Sequence, residues 1–347
     1  MIFIEPKIYQ EKKSFCTRNG KTIETSVEDI YYERVSDIYP EELLSYLQLF
    51  LKCMFEGNIF DGLTKEECFK KLILLSPQDM VKLISNYKGD ITALSEWVRI
   101  FENNKKGTNK KEEIIKKEEI IKKSKVVQSI YEVKKVYTMN NGIMSRSAKK
   151  SSILQQMNQF LIDNIGLKVC PYCNRNYISN RGQYFSAQMD HFYNKSKFPF
   201  FAISLYNLIP SCSSCNLIKS DKDFELHPFV DYKGKHDVVF TYILVEKSVV
   251  KVEIKTTNQR RDDIEKINLE DTYQIHSSEI ENMLEREEEY IKEYRDELRS
   301  VFNIQFSDDE IDRMIFGDSV FEEDIKNISL GKFKKDIYQE IKSLRDY

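Results

Sequence analysis

Two Cys-x2-Cys pairs constrain this chain more than any other feature. They are Cys170-Pro-Tyr-Cys173 and Cys212-Ser-Ser-Cys215. Each spacing lets a tight turn present two thiolates on one side, and four sulfur ligands complete the tetrahedral coordination of zinc. The sequence therefore predicts a structural zinc site with no position for a reacting water; the alternative, four unpaired buried cysteines, leaves the repeated spacing unexplained. The remaining cysteines are predicted to be buried or indifferent thiols: Cys16, Cys53 and Cys68.

The composition is typical of a globular, mostly helical protein of the cytoplasm. Of the 347 residues, 41% are hydrophobic and 31% charged, so the chain can bury a sizeable core in two or three domains without disulfide staples. The best apolar stretch, residues 198–209, contains Ser204 and Asn207, which argues against a membrane span. A signal peptide would continue its apolar region near the start of the chain, but Glu5 and Pro6 stand there. Secretion is therefore not expected.

The chain is predicted to be α+β and mostly helical, in five segments. These are an N-terminal helical region at 1–102, a basic helical linker at 103–150, the zinc-containing module at 151–235, a β-hairpin at 236–257 and an acidic helical region at 258–347. N-caps for three of the N-terminal helices are predicted at Thr64, Ser76 and Asp90. In the last region we expect one long charged helix at 279–302 and capping boxes that start at Ser278 and Ser307.

Charge is distributed unevenly along the chain, although the formal net charge is only −3. Residues 103–150 are strongly basic and contain the unit EEIIKK twice, whereas residues 262–347 are strongly acidic. This asymmetry indicates that only part of the chain meets a polyanion such as nucleic acid. The alternative interpretation of the basic segment is a solvated helical spacer.

The insert between the two cysteine pairs contains side chains suited to phosphodiester hydrolysis. It is longer than the roughly 15–20 residues of a simple zinc ribbon, and it contains Asp190-His191 and Asn207, with Asn216 directly after Cys215. The carboxylate of Asp190 and the amide oxygen of Asn216 suit Mg²⁺ or Mn²⁺. A neutral imidazole at His191 can activate a water near neutral pH. Asn207 can hydrogen-bond the backbone of the long loop and orient His191.

The local pattern predicts strand, loop, second short strand and helix across this insert. Residues 184–189 alternate loosely, as in a strand that leads into Asp190-His191. Asn216 is expected to open a helix after the second cysteine turn. Since adjacent strand residues point to opposite faces, Asp190 and His191 can serve one site only at an irregular strand end. Asn207 as a plain turn residue and Asn216 as a mere helix cap are the alternatives.

Over residues 165–230 these motifs resemble the HNH endonuclease family, of the ββα-metal type with a zinc-binding Cys-x2-Cys pair at each side. The resemblance implies that His191 is the general base, that Asn207 is the middle motif residue, and that Asp190 and Asn216 bind the catalytic metal. The third motif position is often His in that family and is Asn here. Lys219 matches a frequent basic position, for which the resemblance implies a phosphate contact.

Basic residues of the module complete the expected site. Lys195, Lys197 and Lys219 are expected to hold the backbone of the nucleic acid, with an ordinary surface lysine as the alternative for Lys219. His227 is interpreted as an extra metal ligand, a phosphate contact or a structural residue. Residues 190–212 are also similar to HNH proteins encoded in bacterial phage-defence loci, which implies an antiviral effector with a partner ATPase or sensor protein.

The sequence thus favours a metal-dependent endonuclease with structural Zn²⁺ and catalytic Mg²⁺ or Mn²⁺, and the resemblance to the HNH family implies 5′-phosphate and 3′-hydroxyl ends. DNA is the expected substrate in preference to RNA, and no membrane is expected. The alternative function is a non-catalytic, zinc-stabilised nucleic-acid-binding module that acts through a protein partner. That alternative does not explain why Asp190, His191, Asn207 and Asn216 all occupy motif positions.

Overall fold

The structure is a computed structural model. It describes residues 4, 6–16, 22–55, 59–105, 117–138, 153–179, 187–230, 238–245, 249–301, 306–317, 320 and 325–345. Over these ranges the chain is α+β and mostly helical, with three two-stranded antiparallel sheets, which confirms the predicted class. Among the described residues, no helix combines the length and the apolar composition needed to span a bilayer.

The N-terminal region begins with a short helix and a hairpin, and five further helices follow. Its elements are α1 (Lys7–Gln10), β1 (Lys13–Cys16), β2 (Thr22–Thr25), α2 (Val27–Ser36), α3 (Leu44–Met54), α4 (Lys65–Ile73), α5 (Pro77–Ser85) and α6 (Ile91–Lys105). The three predicted N-caps are confirmed. Thr64 forms a full capping box, Ser76 accepts from a backbone N–H in the first turn of α5, and Asp90 accepts from the amides of residues 92 and 93.

Two helices, α7 (Lys117–Thr138) and α8 (Ile153–Asn164), lead into the cysteine-rich part of the chain. The predicted basic linker is described only in part, because residues 106–116 and 139–152 lie outside the described ranges. The side chain of Cys16 also lies outside them. Cys53 is exposed and Cys68 is buried, and neither forms a disulfide.

The predicted order of strand, loop, strand and helix is confirmed in the cysteine-rich part. Strand β3 (Ala187–His191) pairs antiparallel with β4 (Leu208–Cys212), with Asp190 opposite Ile209, and α9 (Ser213–Lys219) follows directly. Residues 184–186 of the predicted first strand lie outside the described residues. The expected helix start at Asn216 is wrong. Cys212 has extended backbone angles and is itself the N-cap, so Asn216 lies one turn inside the helix.

The C-terminal region opens with the predicted hairpin, formed by β5 (Val239–Val245) and β6 (Val249–Lys255) in continuous register. Six α-helices follow among the described residues: α10 (Asn258–Lys266), α11 (Leu269–Tyr273), α12 (Ser277–Glu289), α13 (Lys292–Val301), α14 (Asp308–Phe316) and α15 (Gly331–Ser343). The capping box at Ser307 is confirmed. The one at Ser278 is wrong, since α12 already begins at Ser277.

The single helix predicted over 279–302 is also wrong. The helix is interrupted after Glu289, where α12 ends, and α13 begins at Lys292. The Tyr290 carbonyl accepts a hydrogen bond from Nε of Arg295 at 2.6 Å, and Tyr290 itself leaves helical angles. Arg295 is buried and its guanidinium also reaches Asp312 on α14. The interruption thus coincides with a buried arginine that bonds both the end of α12 and Asp312 on α14, and periodicity alone does not report such bonds.

The loop between β3 and β4 packs into the N-terminal helices. Its aromatic ring at Phe200 is fully buried against Phe50, Phe55 and Tyr87, with ring centroids 5.7, 5.6 and 6.2 Å away. The apolar stretch that contains Phe200 is thus a core segment. Burial of an aromatic ring contributes strongly to core packing. Phe200 thereby fixes the loop between β3 and β4 against the N-terminal helices.

Candidate metal centre and the residues around it

The four cysteines converge on one buried point. The sulfur atoms of Cys170, Cys173, Cys212 and Cys215 all lie within 4.8 Å of one another, and no disulfide joins them. Tetrahedral zinc with Zn–S bonds of about 2.3 Å would place its sulfurs about 3.8 Å apart. Sγ of Cys173 and Sγ of Cys212 lie 3.9 Å apart. The cluster therefore has the ligand type, number and spacing that tetrahedral Zn²⁺ requires.

A tight backbone turn carries the first cysteine pair. The amide of Asn174 donates to the Cys170 carbonyl and the amide of Cys170 donates to the Asn176 carbonyl, both at 2.8 Å. Asn174 adopts the left-handed conformation with φ of 53°, which Asn tolerates better than most residues. The second pair is carried differently, since Cys212 ends β4 and Cys215 lies in the first turn of α9.

Nearby donors point at the sulfurs as expected for thiolate ligands. The backbone amide of Arg175 lies 3.4 Å from Sγ of Cys173, and Nδ2 of Asn176 lies 3.3 Å from Sγ of Cys212. Hydrogen bonds to metal ligands orient them and stabilise their charge. The turn after the first cysteine pair thus supports sulfur atoms from both pairs.

Asp190 lies buried between the cysteine turn and helix α9. Its Oδ2 accepts a hydrogen bond from the Tyr172 hydroxyl at 2.5 Å and lies 3.0 Å from Nζ of Lys219. The same ammonium donates to the carbonyls of His191 and Phe192, each at 3.2 Å. A buried ammonium needs such oxygen partners to offset its lost hydration.

These bonds correct the interpretation of Lys219. Its side chain is 0% exposed, so it reaches neither solvent nor a phosphate group. The expected phosphate contact is therefore wrong, and so is the alternative of an ordinary surface lysine. Lys219 is the buried counter-ion of Asp190.

His191 is the last residue of β3 and directly follows Asp190. Its Nε2 lies 3.1 Å from the Ala202 carbonyl oxygen. Since a carbonyl oxygen can only accept, Nε2 carries the proton and Nδ1 carries the lone pair. Burial, followed by the positive charge of Lys195, lowers the pKa of His191 to about 3, so the imidazole is neutral at physiological pH.

Asn207 bonds the backbone of the loop that joins the two strands, which is the backbone part of its expected role. It is fully buried, and its Oδ1 accepts from the Tyr193 amide at 2.7 Å. Its Nδ2 donates to the carbonyls of Tyr193 and Phe201 at 3.1 and 3.0 Å. The two bonds to Tyr193 join the ends of the loop, because Tyr193 lies just after β3 and Asn207 just before β4, and the bond to Phe201 reaches its middle.

Asn216 faces the same side of β3 as Asp190. Its Nδ2 donates to Oε1 of Gln188 at 2.6 Å, and Gln188 and Asp190 are two residues apart on the strand, which gives them one face. One turn further along α9, Lys219 reaches Asp190 itself. Asn216 is half-buried, and its use of Nδ2 as donor leaves Oδ1 as an oxygen ligand atom.

The remaining predicted residues lie around this centre. His227 is buried against Phe192 with ring centroids 4.2 Å apart, and its Nδ1 accepts from the Phe229 amide at 3.2 Å. This placement corresponds to the structural interpretation of His227, not to an extra metal ligand. Lys197 is exposed and pairs with Asp223 at 2.6 Å. Lys195 is half-buried and close enough to His191 to lower its pKa.

Two residues of this arrangement were missed by sequence reasoning. Gln188 could have been found from strand alternation, because it lies two residues before Asp190. No sequence feature pointed to Tyr172, because its position within the first cysteine pair does not indicate a partner on β3. Over the described part of the chain, no second group of three His, Cys, Asp or Glu ligand atoms lies as close as the four cysteines.

Comparison of the chain with protein-family models, with curated proteins and with solved structures returned no significant match.

Proposed function

We propose that this protein is a metal-dependent endonuclease of the HNH type, which hydrolyses phosphodiester bonds of DNA with His191 as the general base. The observation that carries the proposal is the β3–β4–α9 unit beside the four-cysteine cluster. In this unit Asp190 and Asn216 share one face of β3 and His191 ends the same strand. Asn207, which directly precedes β4, hydrogen-bonds the backbone of Tyr193 near the start of the β3–β4 loop and so joins the two ends of that loop.

The tautomer of His191 suits a general base. A base must offer a lone pair and be unprotonated at the working pH. The bond from Nε2 to the Ala202 carbonyl leaves the lone pair on Nδ1, and burial keeps the ring neutral. In the proposed reaction Nδ1 takes the proton from the water that attacks phosphorus.

Asp190 and Asn216 would hold a catalytic Mg²⁺ or Mn²⁺. Mg²⁺ prefers oxygen ligands and commonly keeps several waters, so one carboxylate and one amide oxygen are a sufficient protein contribution. The Asp190 oxygens accept from Tyr172 and Lys219, and each carboxylate oxygen has a second lone pair. When bound, the cation would stabilise the charge on the leaving oxygen.

The zinc site would act as a rigid support for this centre. The first cysteine turn includes Tyr172, whose hydroxyl bonds Asp190, and the second pair sets the start of α9, which carries Asn216 and Lys219. Precise placement of a catalytic group depends on the rigidity of the groups behind it. Zinc would thereby fix both the acidic residue and the helix without taking part in the reaction.

DNA binding would draw on Lys195, which lies near His191, and on the exposed Lys197. Phosphate contacts of this kind make binding weaken as salt rises. The preference for DNA over RNA, the role in phage defence and the partner ATPase or sensor protein stay predictions from the sequence.

A plasmid-nicking assay tests the proposal. Zinc-loaded protein is incubated with supercoiled DNA in EDTA, Mg²⁺ or Mn²⁺, and His191→Ala is run beside His276→Gln as a matched control. His276 accepts from Arg175 and lies outside the β3–β4–α9 unit. We expect metal-dependent nicking that His191→Ala lowers by about 10²–10⁴-fold and that His276→Gln retains.

Two outcomes would count against the proposal. Equal nicking by His191→Ala would remove His191 as the base. DNA binding without cleavage in any metal, by a folded and zinc-loaded chain, would favour the non-catalytic binding module instead.

A further inference from the structure

Three consecutive residues of the loop between β3 and β4 are each held by a different part of the chain. Ala202 offers its carbonyl to Nε2 of His191. The next two residues, Ile203 and Ser204, are held by the N-terminal helices. The segment 202–204 therefore joins the histidine of β3 to a region that precedes it by more than a hundred residues in sequence.

Two buried hydrogen bonds make this connection. The Tyr31 hydroxyl on α2 donates to the Ile203 carbonyl at 3.1 Å. The Ser204 hydroxyl donates to the Leu72 carbonyl on α4 at 2.7 Å. Tyr31 is 1% exposed and Ser204 is 0% exposed, so water cannot replace either bond without rearrangement of the core.

The Ala202 carbonyl has little freedom to move independently of these two bonds. It lies on the residue directly before Ile203, and the peptide unit between them is planar. Phe200, on the other side of it, is buried against the aromatic rings of Phe50 and Phe55. The N-terminal helices thus determine where the acceptor for His191 lies.

We infer that helices α2 and α4 are a positioning element for His191, and that Tyr31 and Ser204 are the residues through which they act. The inference deepens the proposed function and, in its catalytic consequence, rests on it. Tyr31 and Ser204 touch neither the reacting water nor the phosphate. They hold the Ala202 carbonyl where it keeps the proton on Nε2 and aims Nδ1 at the water.

The test uses the full chain with Tyr31→Phe, Ser204→Ala and the double variant. Matched controls are Tyr39→Phe and Ser129→Ala, which remove the same groups at buried positions whose hydrogen bonds run to carbonyls of α7 and not to segment 202–204. Tyr39 donates to the Ser129 carbonyl at 3.0 Å, and the Ser129 hydroxyl donates to the Val126 carbonyl at 2.7 Å. Thermal unfolding is measured for all five proteins, so that effects are compared at matched stability.

Two readouts separate positioning from general destabilisation. The first is kcat and KM for DNA cleavage, where we expect kcat of the double variant to fall roughly 10- to 100-fold with KM unchanged. The second is the imidazole N–H proton resonance of His191 in zinc-loaded protein, assigned with His191→Asn. We expect this resonance to move upfield and exchange faster in the double variant, and to stay in place in Tyr39→Phe and Ser129→Ala.

The resonance distinguishes failure of the inference from failure of the proposed function. An unchanged His191 N–H in the double variant overturns the inference, whatever the cleavage assay shows. The inference is also overturned if the resonance changes but kcat does not, in a protein whose cleavage depends on His191. A changed resonance in a chain that cleaves no DNA supports the positioning by α2 and α4 and counts against the nuclease.

Discussion

The hydroxyl of Tyr172 lies 2.5 Å from Oδ2 of Asp190. Tyr172 stands inside the first cysteine pair and Asp190 stands on β3, so this hydrogen bond connects the candidate zinc site directly to the candidate catalytic carboxylate. Both groups are buried, and a hydrogen bond to a charged group in that setting contributes about 1.5–3 kcal/mol.

Tyr172→Phe should lower the free energy of unfolding by about 1.5–3 kcal/mol and leave one zinc per chain. Asp190 keeps Lys219 as its partner but loses its link to the cysteine turn, so half-saturation of cleavage should require more Mg²⁺. Denaturant unfolding, zinc analysis and a Mg²⁺ titration of nicking measure these effects. Tyr177→Phe is the control, because Tyr177 is half-exposed near the same turn. An equal Mg²⁺ requirement in both variants would refute the prediction.

Lys219→Met should destabilise the protein by about 3–5 kcal/mol, because it leaves the buried Asp190 carboxylate without its counter-ion. The double variant Lys219→Met/Asp190→Asn should recover part of that loss. Lys222→Met, which alters an exposed lysine, should change stability by less than about 0.5 kcal/mol. If Lys219 instead contacted phosphate, its substitution would leave unfolding unchanged and flatten the salt dependence of DNA binding.

Removal of zinc should unfold the cysteine-rich module. Structural zinc contributes about 10–16 kcal/mol of apparent binding free energy in small zinc domains, and here four buried sulfurs share one site. We expect Cys215→Ser to lose zinc and to lower the melting temperature, while Cys53→Ser, at an exposed cysteine, keeps one zinc per chain. A full zinc content in Cys215→Ser, or a chelated protein with an unchanged melting temperature, would contradict the four-sulfur site.

Low pH should destabilise the C-terminal region, because it protonates the carboxylate of Asp312. Burial raises the pKa of Asp312, but hydrogen bonds from Arg345, Tyr338 and Arg295 outweigh it and lower the pKa to about 2, against about 3.9 in an unfolded chain. A depressed carboxyl pKa stabilises the folded state above pH 3.9, and that contribution is lost as pH falls towards 2. The loss amounts to about 2–3 kcal/mol.

Urea unfolding of the wild type and Asp312→Asn between pH 5 and pH 2 measures this contribution. The variant should be less stable at pH 5, because Arg295 and Arg345 keep their charges without the carboxylate. It should also show a shallower decline with acid. Parallel curves for the two proteins would show that Asp312 does not titrate with folding.

The features that the sequence determined by itself are local in the chain. The cysteine spacings predicted two turns that converge on one metal-sized cluster, and Thr64 and Ser76 marked helix starts through bonds to amides three residues away. The order of β3, β4 and α9 followed from alternation and from the turn at Cys212. Such features can be predicted from the sequence because the interacting groups lie within a few residues of one another.

Tertiary structure alone decided what depends on distant partners. A phosphate contact was expected for Lys219, yet packing buried it against Asp190, 29 residues away. The bonds of Tyr31 to Ile203 and of Ser204 to Leu72 span 172 and 132 residues. No periodicity or spacing reports such pairs, because they arise only when the hydrophobic core brings separate segments together and the buried polar groups must then find partners among whatever lies beside them.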